Sequence, residues 1–341
     1  VPSAEPVLAV LGELVVDLLP APGTSAGPAG TAPQYVARPG GNALNVAVAA
    51  GRLEVPVHLL ARLGTGPLAV HLRRHAELAG VDVRGFVAAD EPVSLAVVGL
   101  GDGGSPSYGF HVLGAADWQW TDEELAAALP DRTGILHVGS ISSWTAPGSE
   151  AIARLVARVH GDGALVSVDP NVRPTLADGP VGAPLGNSAA VVRERIDRLV
   201  ALADVVKVSA EDLEWLEPDA ATDLDAAAQR FADRGVALAV LTDGGAPLRV
   251  ARPGRPLLRR EPPRVAVVDT VGAGDSLAAG LLGGLLEAGV TSRSALTRLA
   301  DDDLVRIVDD AALVAALNCT RVGADPPTRT ELDAARSTRR G

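Results

Sequence analysis

The chain has 341 residues, 47% of them hydrophobic but only 3% aromatic. That length allows two modest domains or one large α/β domain, with a core built mainly from Ala, Val and Leu. A net charge of −12 argues against a general nucleic-acid or anionic-membrane binder, and still allows a small anionic ligand at a local positive site. One cysteine, Cys319, excludes a disulfide framework, and no signal-like or membrane-length apolar window is present, so a cytoplasmic protein is expected.

Residues 7–16 form a near-continuous apolar run, as in a buried parallel strand, and lead to Asp17. Residues 22–33 are rich in Gly, Pro, Ala, Ser and Thr and read as a loop. Gly40-Gly41 then opens a helix of small residues from 43 onward. The two glycines let backbone approach a ligand, and Asn42 and Asn45 lie three apart on one helical face. The alternative is a Gly-Gly turn with an Asn cap. A strand over 55–62 and a helix over 68–80 follow.

The runs 93–100 and 107–112 flank Asp102-Gly103-Gly104, a hairpin signal. A strand pair inserted between α/β units predicts a small sheet standing off the main one. His111 reads as a surface residue of that sheet. Strands over 135–138 and 164–168 enclose a helix over 149–160. The second strand runs into Asp169-Pro170-Asn171-Val172-Arg173-Pro174, where open α/β sheets bind ligands; an Asp-Pro turn is the alternative. A helix over 191–203 precedes a short strand, 205–208, that carries Lys207, the only lysine in the chain. Ser209 and Asp212 have the spacing of a capping box for the helix 210–216.

A strand over 237–242 leads to Asp243-Gly244-Gly245. Residues 265–268, Val-Ala-Val-Val, read as a strand before a glycine-bearing turn and a buried helix over 277–286. Amides around Gly272, Ala273 and Gly274 would sit at that helix's N-terminus, where unpaired N–H groups and the dipole suit an anion such as a phosphoryl group. Asp275 could cap the helix. It could also act as a general base beside the anion hole, as phosphoryl transfer requires. Gly272-x-Gly274 is no dinucleotide fingerprint, because Leu277 stands where the third glycine belongs, and no Gly-Lys-Ser/Thr makes it a P-loop. A helix over 311–317 precedes Asn318-Cys319, and the polar residues 329–341 are expected to fray.

Asp269-Thr270-Val271-Gly272-Ala273-Gly274-Asp275-Ser276 resembles the C-terminal signature of the ribokinase-like (PfkB) carbohydrate kinases. Gly40-Gly41 with Asn45 resembles their N-terminal one. The stretch 94–117 and Asp-Pro-Asn-x-Arg-Pro at 169–174 are similar to bacterial fructokinases in particular. The resemblance runs from Gly12 to Ala324. It implies one ribokinase-like α/β domain over 1–341, a mostly parallel sheet covered by helices, with a β-lid from parts of 12–38 and from 93–113. It implies ATP-dependent phosphorylation of a sugar hydroxyl, with Asp275 as base and the Gly272 to Asp275 amides as anion hole. Asp17, Gly40, Gly41, Asn42, Asn45, Asn171 and Arg173 would hold the sugar, with Arg173 also near the transferring phosphoryl. Lys207, Thr242, Gly244, Gly272, Gly274 and Asn318 would serve the nucleotide. Glu211 or Asp212 would order magnesium through water, and Asp269 would stand beside a monovalent cation, K+ in this family. A dimer through the lid follows by the same analogy.

Three stretches depart from the family pattern. Gly64-Thr65-Gly66-Pro67-Leu68-Ala69 lacks both acids of Gly-Asp-Asp-x-x-Gly, Ser209 replaces the Asn of Asn-x-x-Glu, and Pro247 replaces a loop glycine. Fructose is the leading substrate. The rival readings are a kinase for 2-keto-3-deoxygluconate, ribose or a nucleoside, and a non-catalytic sensor on the same scaffold. An acidic sugar would need more than one arginine, for which Arg38 is the extra candidate.

Overall fold

The computed structural model describes residues 5–21, 34–100, 106–218 and 222–340. Thirteen strands are present among them. In chain order they are β1 Val7–Leu11, β2 Val15–Pro20, β3 Tyr35–Gly40, β4 Val57–Leu63, β5 Phe86–Ala88, β6 Ser94–Leu100 and β7 Pro106–His111. Then come β8 Thr133–Gly139, β9 Leu165–Asp169, β10 Val205–Ser209, β11 Leu238–Thr242, β12 Leu248–Ala251 and β13 Leu258–Arg260.

Nine strands make the main sheet in the order β13-β12-β11-β10-β9-β8-β1-β4-β5. From β11 to β5 the pairing is parallel, and only β12 and β13 run antiparallel at one edge. The apolar runs explain this arrangement: β1, β4 and β9 are buried along their whole length, as strands covered on both faces must be. One face packs Leu8, Val10 and Ile135 against the helices Asn42–Arg52, Ala273–Glu287 and Asp301–Asn318. The other packs Leu136, Val166 and Val206 against Gly148–Gly161, Ala189–Val200 and Leu224–Asp233. Each such Leu, Ile or Val contributes roughly 1.5–3 kcal/mol of burial. This is the ribokinase-like α/β fold expected from the sequence.

A four-stranded second sheet has the order β3-β2-β6-β7. β2 pairs antiparallel with β3 and parallel with β6, and β6 pairs antiparallel with β7. The expected strand pair of 93–113 is therefore present; its turn at 102–104, like the loop 22–33, lies outside the described residues. No helix among the described residues is long and apolar enough to cross a membrane.

Two expectations are corrected. Residues 265–268 form no strand: Val267 and Val268 are 62% and 59% exposed, and the Val268 and Asp269 amides donate to the Cys319 carbonyl instead of to a ladder. Residues 329–340 do not fray but form the helix Arg329–Arg340. Within it Leu332 is buried, and Arg336 holds Asp310 through two hydrogen bonds.

Candidate active site

The parallel strands β1, β8, β9, β10 and β11 all end on one edge, which is where an open α/β sheet forms its ligand crevice. Gly272 starts the helix Ala273–Glu287 on that edge in the left-handed conformation, φ 74°. A Cβ there would also stand 2.6 Å from the Ala324 Cβ, so glycine is required on both counts. The helix has no side-chain cap. Its Ala273 amide donates to the Thr270 carbonyl, which removes one member of the expected anion hole. The Gly274 and Asp275 amides remain at the second and third helical positions, without a helical acceptor.

Asp275 does not cap this helix. Its carboxylate is buried and accepts from two amide side chains, Asn42 Nδ2 at 2.7 Å on Oδ1 and Asn45 Nδ2 at 2.8 Å on Oδ2. Asn42 is not a cap either. The N-cap of its helix is Gly41, φ 103°, whose missing Cβ would lie 2.5 Å from the Glu13 carbonyl. The two asparagines, placed with the sugar by resemblance, thus orient Asp275 here.

Asp17 lies on β2 with its carboxylate directly over Gly40, so the segment 40–45 links Asp17 to Asp275. Burial raises the Asp17 carboxyl to about 6, opposed by the positive charge of Arg173. Arg173 is exposed, and among the described residues its guanidinium makes a single hydrogen bond, to the Val172 carbonyl at 3.4 Å. Asn171 beside it has φ 38°, a strained conformation for a residue with a side chain.

A buried charge cluster lies under the helix N-terminus. Lys207 Nζ donates to Asp169 Oδ2 at 3.0 Å and sits 2.8 Å from where a Gly274 Cβ would be. Burial raises the Asp169 carboxyl to about 6; Lys207 pulls it down, and Asp212 and Asp275 push it up. Lys207 is also buried, but the three carboxylates outweigh that cost and hold it charged. Asp169 Oδ1 is buried with no hydrogen-bond partner among the described residues. The sequence placed Asp169 in a segment at the ligand-binding edge or in an Asp-Pro turn, and did not anticipate its pairing with Lys207. The available signals were an Asp closing a buried strand and the chain's single lysine within the next one.

The other expected residues fall into place unevenly. Asp212 completes the capping box with Ser209 and also accepts from the Val172 amide at 2.7 Å. Its oxygens are therefore largely committed, while Glu211 is exposed. Thr242 stands beside Ser209 in register, and Gly244, φ 50°, is exposed just beyond it. Asn318 is fully buried and donates to the Val271 carbonyl at 2.8 Å. It braces the 269–275 turn from below and offers no exposed polar contact for a nucleotide base. Asp269 accepts from the Val271 amide at 3.0 Å and the Gly323 amide at 2.8 Å, one on each oxygen.

This fold and this edge of carboxylates, amides and one ammonium belong to an α/β class that handles small anionic and hydroxylated ligands. Comparison with known proteins narrows it. Residues 6–331 match the model of the pfkB family carbohydrate kinases. A fructokinase from Rhizobium leguminosarum bv. trifolii is 32% identical over 275 residues, 80% of this chain and 78% of that protein. Among solved structures, a fructokinase with bound ATP from Xylella fastidiosa superposes with TM-score 0.83 at 27% identity, over 98% of this chain and 99% of that one. A double mutant of fructokinase from Vibrio cholerae O395, in fructose, ADP and potassium ion bound form, gives TM-score 0.78 at 27% identity, over 97% and 99%. The chain belongs to the pfkB family of carbohydrate kinases.

Proposed function

We propose that the chain transfers the terminal phosphoryl group of ATP to a hydroxyl of a neutral sugar, with D-fructose the leading acceptor. The observation that carries this is Asp275. It is a buried carboxylate fixed by Asn42 and Asn45 in the first turn of a helix whose Gly274 and Asp275 amides face the same edge. Its remaining lone pairs take the proton of the attacking hydroxyl, while the amides and Lys207 stabilise charge on the transferred group. Asp17 accepts hydrogen bonds from other sugar hydroxyls, and Arg173 completes the pocket as a charge partner of Asp17 and of the incoming phosphate. Thr242 and Gly244 line the nucleotide side. The fructokinases among the relatives support ATP and fructose as the pair.

The residues present suit magnesium arriving with the nucleotide. Among the described residues Asp169 Oδ1 is a buried oxygen without a hydrogen-bond partner, close to Asp212, and the exposed Glu211 or Asp212 would hold the ion through water. The ion would neutralise phosphate charge there. At Asp269 each oxygen has accepted one amide and keeps a free lone pair, which supports a potassium site, as the potassium-bound relative suggests. The second sheet would act as the lid. Its edge strand β3 exposes Tyr35 and Val36, which supports pairing between two copies. Arg38 faces Asp17 across β2 and β3, so an acidic sugar is the competing acceptor.

The test is ADP release with ATP and magnesium over D-fructose, D-ribose, 2-keto-3-deoxygluconate and adenosine. Turnover with fructose supports the reading. Turnover with another member reassigns the substrate, and silence across the panel, with sugar binding retained by calorimetry, replaces the kinase with a sensor.

A further inference from the structure

The chain crosses between the two sheets at several points, and three of them meet at one buried carboxylate. It enters the second sheet from β1 through Leu14, returns into it through Ser94 at the start of β6, and leaves it after β7 by way of Asp117. Asp117 is 2% exposed. Its Oδ1 accepts from the Leu14 amide at 2.8 Å, and its Oδ2 accepts from Ser94 Oγ at 2.6 Å. Ser94 is fully buried and stands opposite Val15 in the parallel β2–β6 pair. The neighbouring backbone is pinned as well: the Ala116 amide donates to the Pro92 carbonyl at 3.0 Å, and Arg62 donates to the Ala116 carbonyl at 3.2 Å. Arg62 itself is held by Glu91 and Glu124.

We propose that Asp117 is a positioning residue for sugar binding: by tying Leu14 to Ser94 at the root of the second sheet, it fixes where Asp17 stands over Gly40. Asp17 lies three residues beyond Leu14, on the strand β2 that Leu14 leads into, so any tilt at the root is carried directly to its carboxylate. Neither Leu14 nor Ser94 has another tie of this kind: the Leu14 amide lies before the first residue of β2, and the Ser94 hydroxyl has no second partner among the described residues. An apolar residue in place of Asp117 would bury both donors unsatisfied. Either protonation state of Asp117 keeps the tie. The carboxylate accepts both bonds; the acid accepts from Leu14 and donates to the Ser94 hydroxyl. Burial raises the group to about 7, the two hydrogen bonds oppose that, and the nearby Glu13 adds to it. An asparagine reproduces the acid's pattern, with Oδ1 accepting from Leu14 and Nδ2 donating to Ser94.

The proposal rests on the reading of Asp17 as a sugar-binding group, so the experiment has one arm that needs no sugar. In the full chain, Asp117→Ala, Asp117→Asn and Ser94→Ala are compared by steady-state kinetics and by hydrogen–deuterium exchange. Asp117→Ala should raise the sugar KM about tenfold or more, with kcat and the ATP KM within about threefold of wild type. Exchange should rise in β2 and β6 and stay unchanged in β1, β8 and β9. Asp117→Asn should restore both readouts. If Asp117→Ala fails to fold, Ser94→Ala carries the test, with a smaller change in the same direction. Exchange that rises evenly over both sheets, an unchanged sugar KM, or an asparagine variant no better than alanine would each overturn the proposal. If wild type phosphorylates no sugar of the panel, the sugar reading fails, and the exchange pattern alone still decides whether Asp117 fixes the second sheet.

Discussion

Replacing Lys207 by methionine keeps the volume of the side chain and removes the positive charge that faces Asp169 in the buried cluster. In wild type the Asp169 carboxyl titrates at about 6, above its ordinary 3.8, because burial outweighs the ammonium 3.0 Å away. The neutral acid is thus favoured by folding, and the stability it lends is lost as pH rises through that value. Without Lys207 the same burial, with Asp212 and Asp275 still close, should carry the carboxyl to roughly 8 or beyond, as documented for buried carboxyls. At pH 5 Asp169 is mostly neutral in both proteins, and the pH-linked penalty is small. Above pH 6 each further pH unit adds about 1.4 kcal/mol, so the variant should lose roughly 3 kcal/mol more at pH 8 than at pH 5. Urea unfolding at the two pH values measures this difference directly. Asp169→Asn in the same background should abolish the pH-dependent part. An equal loss at both pH values would refute the reasoning, because it would mean that the ammonium does not govern the ionisation of Asp169.

Other outcomes follow from the same geometry. The sugar KM should rise as pH falls below about 6, when Asp17 protonates and becomes a weaker acceptor with one oxygen turned donor, and Asp17→Asn should raise and flatten that profile; a wild-type KM constant down to pH 5 would place the sugar elsewhere. Gly272→Ala combines a left-handed backbone with a contact 2.6 Å from Ala324, and should cost about 2–4 kcal/mol together with a fall in turnover. Melting and turnover close to wild type would contradict the tight approach of the 269–275 turn to Ala324.

The layered fold was legible because its strands are apolar runs bounded by glycine and proline, and because helix Ala273–Glu287 and the Gly40-Gly41 turn carry distinctive residues. The apolar run at 265–268 misled for a physical reason: it has strand composition, but its amides bond the Cys319 carbonyl and its valines face outward. The site was legible residue by residue rather than as an assembly. Asp275 stood out through its turn, yet nothing local shows that Asn42 and Asn45, more than 200 residues away, hold its two oxygens. Asp169 and Asp117 look like ordinary turn and helix-start residues in the sequence. Their roles depend on burial and on partners in other strands, which spacing along the chain does not encode. The C-terminal helix was missed because its polar composition hides a single buried anchor, Leu332, and ion pairs to the preceding helix.

The most direct test of Asp275 as the base is a rapid-quench measurement of sugar phosphate formation by wild type and Asp275→Asn at saturating ATP and sugar, with sugar affinity followed separately by calorimetry. The asparagine keeps the size of the side chain and can still accept one of the two amide bonds, so the fold and the sugar site should survive. Phosphoryl transfer should fall by about two orders of magnitude or more, with sugar affinity within a few-fold of wild type. Transfer at a near-normal rate would show that another group removes the hydroxyl proton, and would contradict the assignment on which the proposed mechanism rests.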